Sequence, residues 1–175
     1  EILVRRELAR RHLLPFVEEF RAGYKAGWVH RDICQRLENF VHQVARGESP
    51  RLMLFMPPRS GKSELGTRSM PPWALGQYPW MEIIATSYAA SLANTFSRKA
   101  REIMRDPAYT HIYPEAILDK DNQAVEQWLT TDGGGYVAAG VGGSIVGKGA
   151  HILIIDDPTK GQVEAKSETI QEQIR

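Results

Sequence analysis

Residues 52–63, Leu52-Met53-Leu54-Phe55-Met56-Pro57-Pro58-Arg59-Ser60-Gly61-Lys62-Ser63, run an apolar stretch straight into Gly-Lys-Ser. The stretch predicts a strand and Gly-Lys-Ser the turn that feeds it into a helix. Such a junction aims free backbone N–H groups and the positive end of a helix dipole at an anion. Gly61 allows close backbone approach, the Lys62 ammonium can reach outer phosphates, and the Ser63 hydroxyl can ligate magnesium.

The full pattern G-x-x-x-x-G-K-[ST] has glycine where this chain has Met56. Pro57 and Pro58 restrict the loop in its place, each fixing its φ near about −65°. A competitor, Gly142 to Gly149, matches the spacing with its first glycine included. It ends in Gly149 where the metal-binding hydroxyl belongs, and the run Ile152 to Ile155 after it reads as a strand rather than a helix, so the earlier loop is preferred.

His151-Ile152-Leu153-Ile154-Ile155-Asp156-Asp157-Pro158 has the form of a Walker B segment in a P-loop NTPase: an apolar strand ending in two carboxylates. Continuous apolarity predicts a strand buried on both faces of a parallel sheet. Ligands bind at the C-terminal ends of such strands. There Asp156 would hold magnesium, directly or through water, and Asp157 would orient and deprotonate an attacking water. By itself, Asp-Asp-Pro equally reads as the cap of a strand opening a turn. Pairing with Gly61-Lys62-Ser63 favours the functional reading.

At 175 residues, 42% apolar and 25% charged, the chain suits one soluble α/β domain. No apolar stretch approaches membrane-spanning length, and no signal-peptide pattern opens the chain. The lone cysteine, Cys34, excludes an internal disulfide framework and reads as a packed helix residue. A net charge of +1 provides no global field for nucleic acid, so any DNA contact must use local patches.

Residues 5–22 predict a helix or helix pair interrupted near Pro15, with Arg5, Arg6, Arg10 and Arg11 at its start. A second helix is expected over 32–45, with Ile33, Leu37, Phe40, Val41 and Val44 at helical spacing. A third should run from Ser63 to Ser69 and stop at Pro71-Pro72. A strand at 82–86 and a long helix to Arg105 follow, with Leu92, Phe96, Ala100 and Ile103 inward. Arg98, Lys99, Arg101 and Arg105 fall on or beside the polar side of that helix, as a solvated face or a surface for DNA or a neighbouring subunit. Residues 107–124 read as loop; 127–131 and 135–139 read as a hairpin around Asp132-Gly133-Gly134. In the glycine-rich segment 140–149, Lys148 is a candidate sensor of a γ-phosphate. Gln35 is the candidate for recognising the base, against a plain polar helix position.

Together, Pro57 to Glu64, the strand and helix beginning Ile83-Ile84-Ala85-Thr86-Ser87-Tyr88, Gly147-Lys148-Gly149-Ala150, and Ile154-Ile155-Asp156-Asp157-Pro158 resemble the ATPase domain of the large terminase subunit of tailed bacteriophages, over about residues 28–160. The resemblance implies a RecA-like P-loop NTPase with a mostly parallel sheet flanked by helices, and the helices read before it form an N-terminal helical segment (residues 1–48) expected to pack on the core (49–175). It also implies an ATP- and Mg2+-dependent motor in the host bacterial cytoplasm, with no membrane partner. That motor would dock on the portal protein, work with the small terminase subunit and pump double-stranded DNA, as a homo-oligomeric ring of about five subunits.

Carried over by position, Lys62 would bind the β- and γ-phosphates, Ser63 and Asp156 the magnesium, and Arg59 the γ-phosphate, with Pro58, Ser60, Gly61 and Glu64 completing the nucleotide loop. A guanidinium suits that task because it forks onto phosphate oxygens. Two positions depart from the family pattern: Asp157 stands where glutamate is common, and Lys148 where many members carry an arginine that would serve as a finger. The coupling motif and nuclease domain of large terminases do not fit after Pro158. The expectation is therefore a fragment without a nuclease metal site, its polar 162–175 stretch a helix. Three rivals share parts of the pattern. A helicase-type translocase would need a second RecA-like domain. A small-molecule kinase would need an arginine-bearing lid. A nucleotide-binding module would bind without turnover.

Overall fold

The structure, a computed structural model, describes residues 2–143, 145, 147 and 149–159. Lys148 and the helix expected over 162–175 lie outside the described residues.

Two short helices open the chain, α1 (Ile2–Arg11) and α2 (Leu13–Phe20). The break falls at His12, whose backbone is extended, and not at Pro15. Pro15 lies in the first turn of α2, where a missing N–H loses no intrahelical bond. One of the N–H groups left free at that end, on Leu13, donates to Glu38 Oε1 at 2.7 Å. Glu38 belongs to α3 (Trp28–Ala45), whose buried stripe of Ile33, Cys34, Leu37, Val41 and Val44 follows the expected spacing.

Residues 51–57 form no strand. Leu52, Leu54 and Met56 pack against the core while Met53 and Phe55 face out, Phe55 with 90% of its surface exposed. The alternation expected of a strand is present, but a strand also needs a neighbouring backbone to exchange hydrogen bonds with. The helix after Lys62 does not stop at the prolines. It widens into a π-helical stretch over Glu64–Ser69 and continues as α4 (Met70–Gln77). Pro71 and Pro72 cannot donate to carbonyls four residues back, and they occupy the start of α4, beside the stretch where the helix changes pitch.

The sheet has five strands in the order β2-β3-β4-β1-β5: β1 (Glu82–Ser87), β2 (Leu118–Gln123), β3 (Gln127–Thr130), β4 (Gly135–Gly140) and β5 (Ile152–Ile155). β1 runs parallel to β4 and β5, whereas β2, β3 and β4 form an antiparallel meander. The sheet is therefore mixed rather than mostly parallel. The reason is two short connections, residues 124–126 between β2 and β3 and the turn with Gly133 at φ +84° between β3 and β4, each of which forces its two strands antiparallel. Residues 107–124 are not loop either, since they hold α6 (Pro107–Ile112) and β2. Asp106 starts α6 as an N-cap, its carboxylate accepting from the Ala108 N–H at 2.8 Å.

Helix α5 (Ala90–Arg105) covers one face of the sheet with Ala93, Ser97, Ala100, Ile103 and Met104 buried, and Leu92 and Phe96 only partly so. Arg101 is buried too, at 8% exposure, and donates to the Gln123 carbonyl rather than joining an open basic face. Trp128 stacks on Tyr136 with centroids 5.3 Å apart, and its indole N–H reaches Ser97 Oγ at 2.9 Å, pinning the hairpin to α5. β5 is an edge strand: Ile152 is buried, but Leu153 and Ile155 are exposed, so it is not covered on both faces. Among the described residues no helix is long and apolar enough to cross a membrane.

Candidate functional site

At the C-terminal ends of β1 and β5 the chain bends away from the sheet. The Asp156 N–H donates to the Thr86 carbonyl at 2.9 Å, and the Tyr88 N–H donates to the Asp157 carbonyl at 3.1 Å. These bonds fix two successive carboxylates at one sheet end, with Asp157 at φ +46°, a left-handed backbone unusual for a side chain with a Cβ.

The 57–63 loop reaches the same place. Arg59 at φ +61° and Gly61 at φ +89° turn the backbone sharply before the helix begins. Glycine takes this conformation freely and arginine at a cost of about 1–2 kcal/mol. The Ser60 hydroxyl donates back to the Pro57 carbonyl, closing the loop on itself. Met56 to Glu64 and Asp157 line a cleft of about 310 Å³. Pro58, Arg59, Ser60, Gly61, Lys62, Ser63 and Glu64 are thus brought together as the sequence pattern anticipates. Glu64 is ion-paired with Arg68 on the next helical turn.

Lys62 is the centre of the charge arrangement. Its ammonium lies 2.5 Å from Asp157 Oδ1 and 3.5 Å from Asp156 Oδ1. Partial burial pulls the Lys62 pKa down, but the hydrogen bond and charge of Asp157 and the charge of Asp156 outweigh it and hold it above the ordinary lysine value. The two carboxylates differ. Asp157 is 59% exposed at its side chain, whereas Asp156 is 5% exposed as a residue and accepts the Thr67 hydroxyl on Oδ2 at 2.9 Å. Among the described residues no group of three or more His, Cys, Asp or Glu forms a metal cluster. Magnesium does not need one, because it is usually held by one or two carboxylates together with substrate phosphates and water. A buried carboxylate fixed on one oxygen and facing Lys62 with the other, next in the chain to the cleft-lining Asp157, fits that mode.

A second cleft of about 560 Å³ adjoins the loop, sharing Met56, Pro57, Arg59, Ser60 and Gly61 and adding Tyr24, Val29, His30 and Phe55. His30 Nδ1 accepts the Gly27 N–H at 2.9 Å, so Nε2 carries the proton and donates to the Ser60 carbonyl at 3.1 Å. The start of α3 is thereby tied to the loop. Burial, with Cys34 and Glu64 adding to it, raises the Tyr24 phenol to about 12. Gln35 is exposed and lines neither cleft. Sequence reading missed Tyr24, His30 and Thr67. For Thr67 a signal existed, since it lies four residues beyond Ser63, the spacing that brings side chains onto one helix face. A lone histidine or tyrosine carries none.

The arrangement defines a class: an α/β domain with a helix-opening loop and paired carboxylates at the end of its parallel strands. Residues 53–174 match the family model described as terminase large subunit, T4likevirus-type, N-terminal. The chain belongs to that family, which ties it to phage DNA packaging. No curated protein and no solved structure gives a significant match.

Proposed function

We propose that the chain is an ATP-hydrolysing domain whose turnover serves the movement of double-stranded DNA, with a RecA-like P-loop arrangement at its centre. The observation that carries this reading is the convergence of Lys62 with Asp156 and Asp157 from ninety-odd residues away in sequence. A loop of Gly-Lys-Ser type meets the carboxylate pair at the sheet end where α/β proteins bind ligands.

In this reading the loop N–H groups and Lys62 cradle the β- and γ-phosphates, and Arg59 forks onto γ-phosphate oxygens. Ser63 and Asp156 would hold Mg2+, which when bound supplies positive charge against the phosphate oxygens. Asp157 orients a water toward the γ-phosphorus and accepts its proton as the bond to the leaving oxygen breaks. Its exposed position and its pairing with Lys62 leave it free to exchange one partner for the other. Double-stranded DNA, the portal protein, the small terminase subunit and further copies of the chain in a ring are the partners the family suggests.

Magnesium-dependent ATP hydrolysis and ATP binding test this, with and without double-stranded DNA. Lys62→Ala should lower turnover by about 10²–10³-fold, the scale for loss of one charge-stabilising group. Asp157→Asn should lower it at least about a hundredfold with nucleotide binding retained. Turnover indifferent to both substitutions would refute the reading. Binding without turnover in the unaltered chain would leave a nucleotide-binding module.

A further inference from the structure

Asp156 poses a physical problem for any role it plays at the cleft. A carboxylate at 5% exposure has lost most of its hydration, and burying a charge is costly unless donors replace that water. Its two oxygens are treated differently. Oδ1 faces the Lys62 ammonium at 3.5 Å, a loose approach, because that ammonium sits closer to Asp157. Oδ2 accepts a well-formed 2.9 Å hydrogen bond from the Thr67 hydroxyl. A carboxylate only accepts, so the donor is the threonine.

Thr67 is 2% exposed and stands in the π-helical stretch that follows the loop. π-helical turns inside α-helices often mark functional positions, and here the widened turn carries the residue that meets Asp156. Of the two rotamers a helical threonine adopts, the buried Thr67 takes the one that aims its hydroxyl at Asp156 rather than at the preceding turn. The bond therefore restrains the carboxylate: with Oδ2 anchored on Thr67, Oδ1 is the oxygen left toward Lys62, which itself lines the cleft.

Resting on the nucleotide reading above, we propose that Thr67 is a positioning residue for Asp156. Its hydroxyl orients the carboxylate so that Oδ1 is presented to magnesium, directly or through water, when nucleotide is bound. Threonine here sets how tightly the site takes the metal and touches neither metal nor phosphate. Groups that orient a metal-holding side chain typically change metal affinity or activity by about 10–100-fold when removed.

The test reads magnesium, not turnover alone. Binding of a fluorescent ADP analogue to the full chain is titrated with MgCl2 and repeated in EDTA, with thermal unfolding measured on each variant. Thr67→Val should raise the magnesium concentration at half-saturation by about tenfold or more. Its affinity for the analogue in EDTA should match the unaltered chain, and Thr67→Ser, which keeps the hydroxyl, should restore the magnesium requirement. In an Asp156→Asn background Thr67→Val should add nothing, because the group it orients is already altered. If Thr67→Val does not fold, Thr67→Ala carries the same expectation. A magnesium requirement unchanged in Thr67→Val, or shifted equally with and without Asp156→Asn, overturns the positioning role while the nucleotide reading stands. An unaltered chain that binds no analogue, or binds it indifferently to magnesium, overturns both, and does so without any variant.

Discussion

The antiparallel hairpin and the cleft lie at opposite sides of β1 and are built on opposite terms. In the hairpin, Trp128 and Tyr136 are fully buried and stacked, and the indole N–H is satisfied by Ser97. At the cleft, two residues with side chains hold left-handed backbone, β5 shows one apolar face, and Phe55 stands almost bare. One side is closed and packed, even at the cost of leaving the Tyr136 hydroxyl buried without a hydrogen-bond partner. The other keeps left-handed backbone and a partly exposed ion pair where a ligand can meet them, as functional sites commonly do.

The contrast can be broken first in the hairpin. Trp128→Ala should destabilise the chain by about 3–5 kcal/mol, the range for aromatic truncation in a core, measured by denaturant unfolding. A loss below about 1 kcal/mol would mean the hairpin is not the anchor its burial indicates.

Alkaline pH sharpens the comparison next, through the helices that back the cleft. Burial, with Glu38 and Glu18 adding to it, raises the Cys34 thiol from 9.0 to about 12. The folded chain keeps that proton while the unfolded chain releases it above pH 9, so stability is full below pH 9 and falls as pH rises toward 12. The thiol alone should remove about 1 kcal/mol between pH 9 and pH 10. Unfolding midpoints against pH should show the decline, and Cys34→Ala should remove the part between pH 9 and pH 10, while the phenols of Tyr24, Tyr109, Tyr113 and Tyr136, also raised by burial, still lower stability above pH 10.

The smallest expected effect is at the loop. Arg59→Gly should stabilise the folded chain by up to about 1 kcal/mol by relieving the left-handed backbone, offset in part by the greater freedom glycine gives the unfolded chain. Nucleotide affinity should fall at the same time. A variant that is less stable would show that the Arg59 side chain contributes more to the fold than its backbone costs.

Much of this was legible in the residues. The stripe of α3, β1, the hairpin around Gly133, the apolar run of β5 and the Gly61-Lys62-Ser63 loop all follow from periodicity and turn chemistry. Among the features the structure corrects, three have separable reasons. The apolar run 52–56 predicts a strand, yet pairing depends on a neighbour that composition does not reveal. Pro71-Pro72 was taken for a stop, yet the helix changes its pitch around them. Arg101 was grouped with exposed charges, yet a long side chain can bury its stem and find a carbonyl.

The sequence by itself determined the candidate groups: the loop with Lys62 and Ser63, and the carboxylates of Asp156 and Asp157, because a Gly-Lys-Ser turn and an apolar run ending in two carboxylates are each local patterns of residue type and order. Only the tertiary structure decided their partnership. It brings Lys62 against both carboxylates, buries one and exposes the other, hydrogen-bonds Thr67 to Asp156, and ties the loop to α3 through His30. These contacts join segments far apart in the chain, and local patterns of apolar and turn residues encode the segments but not the distances between them.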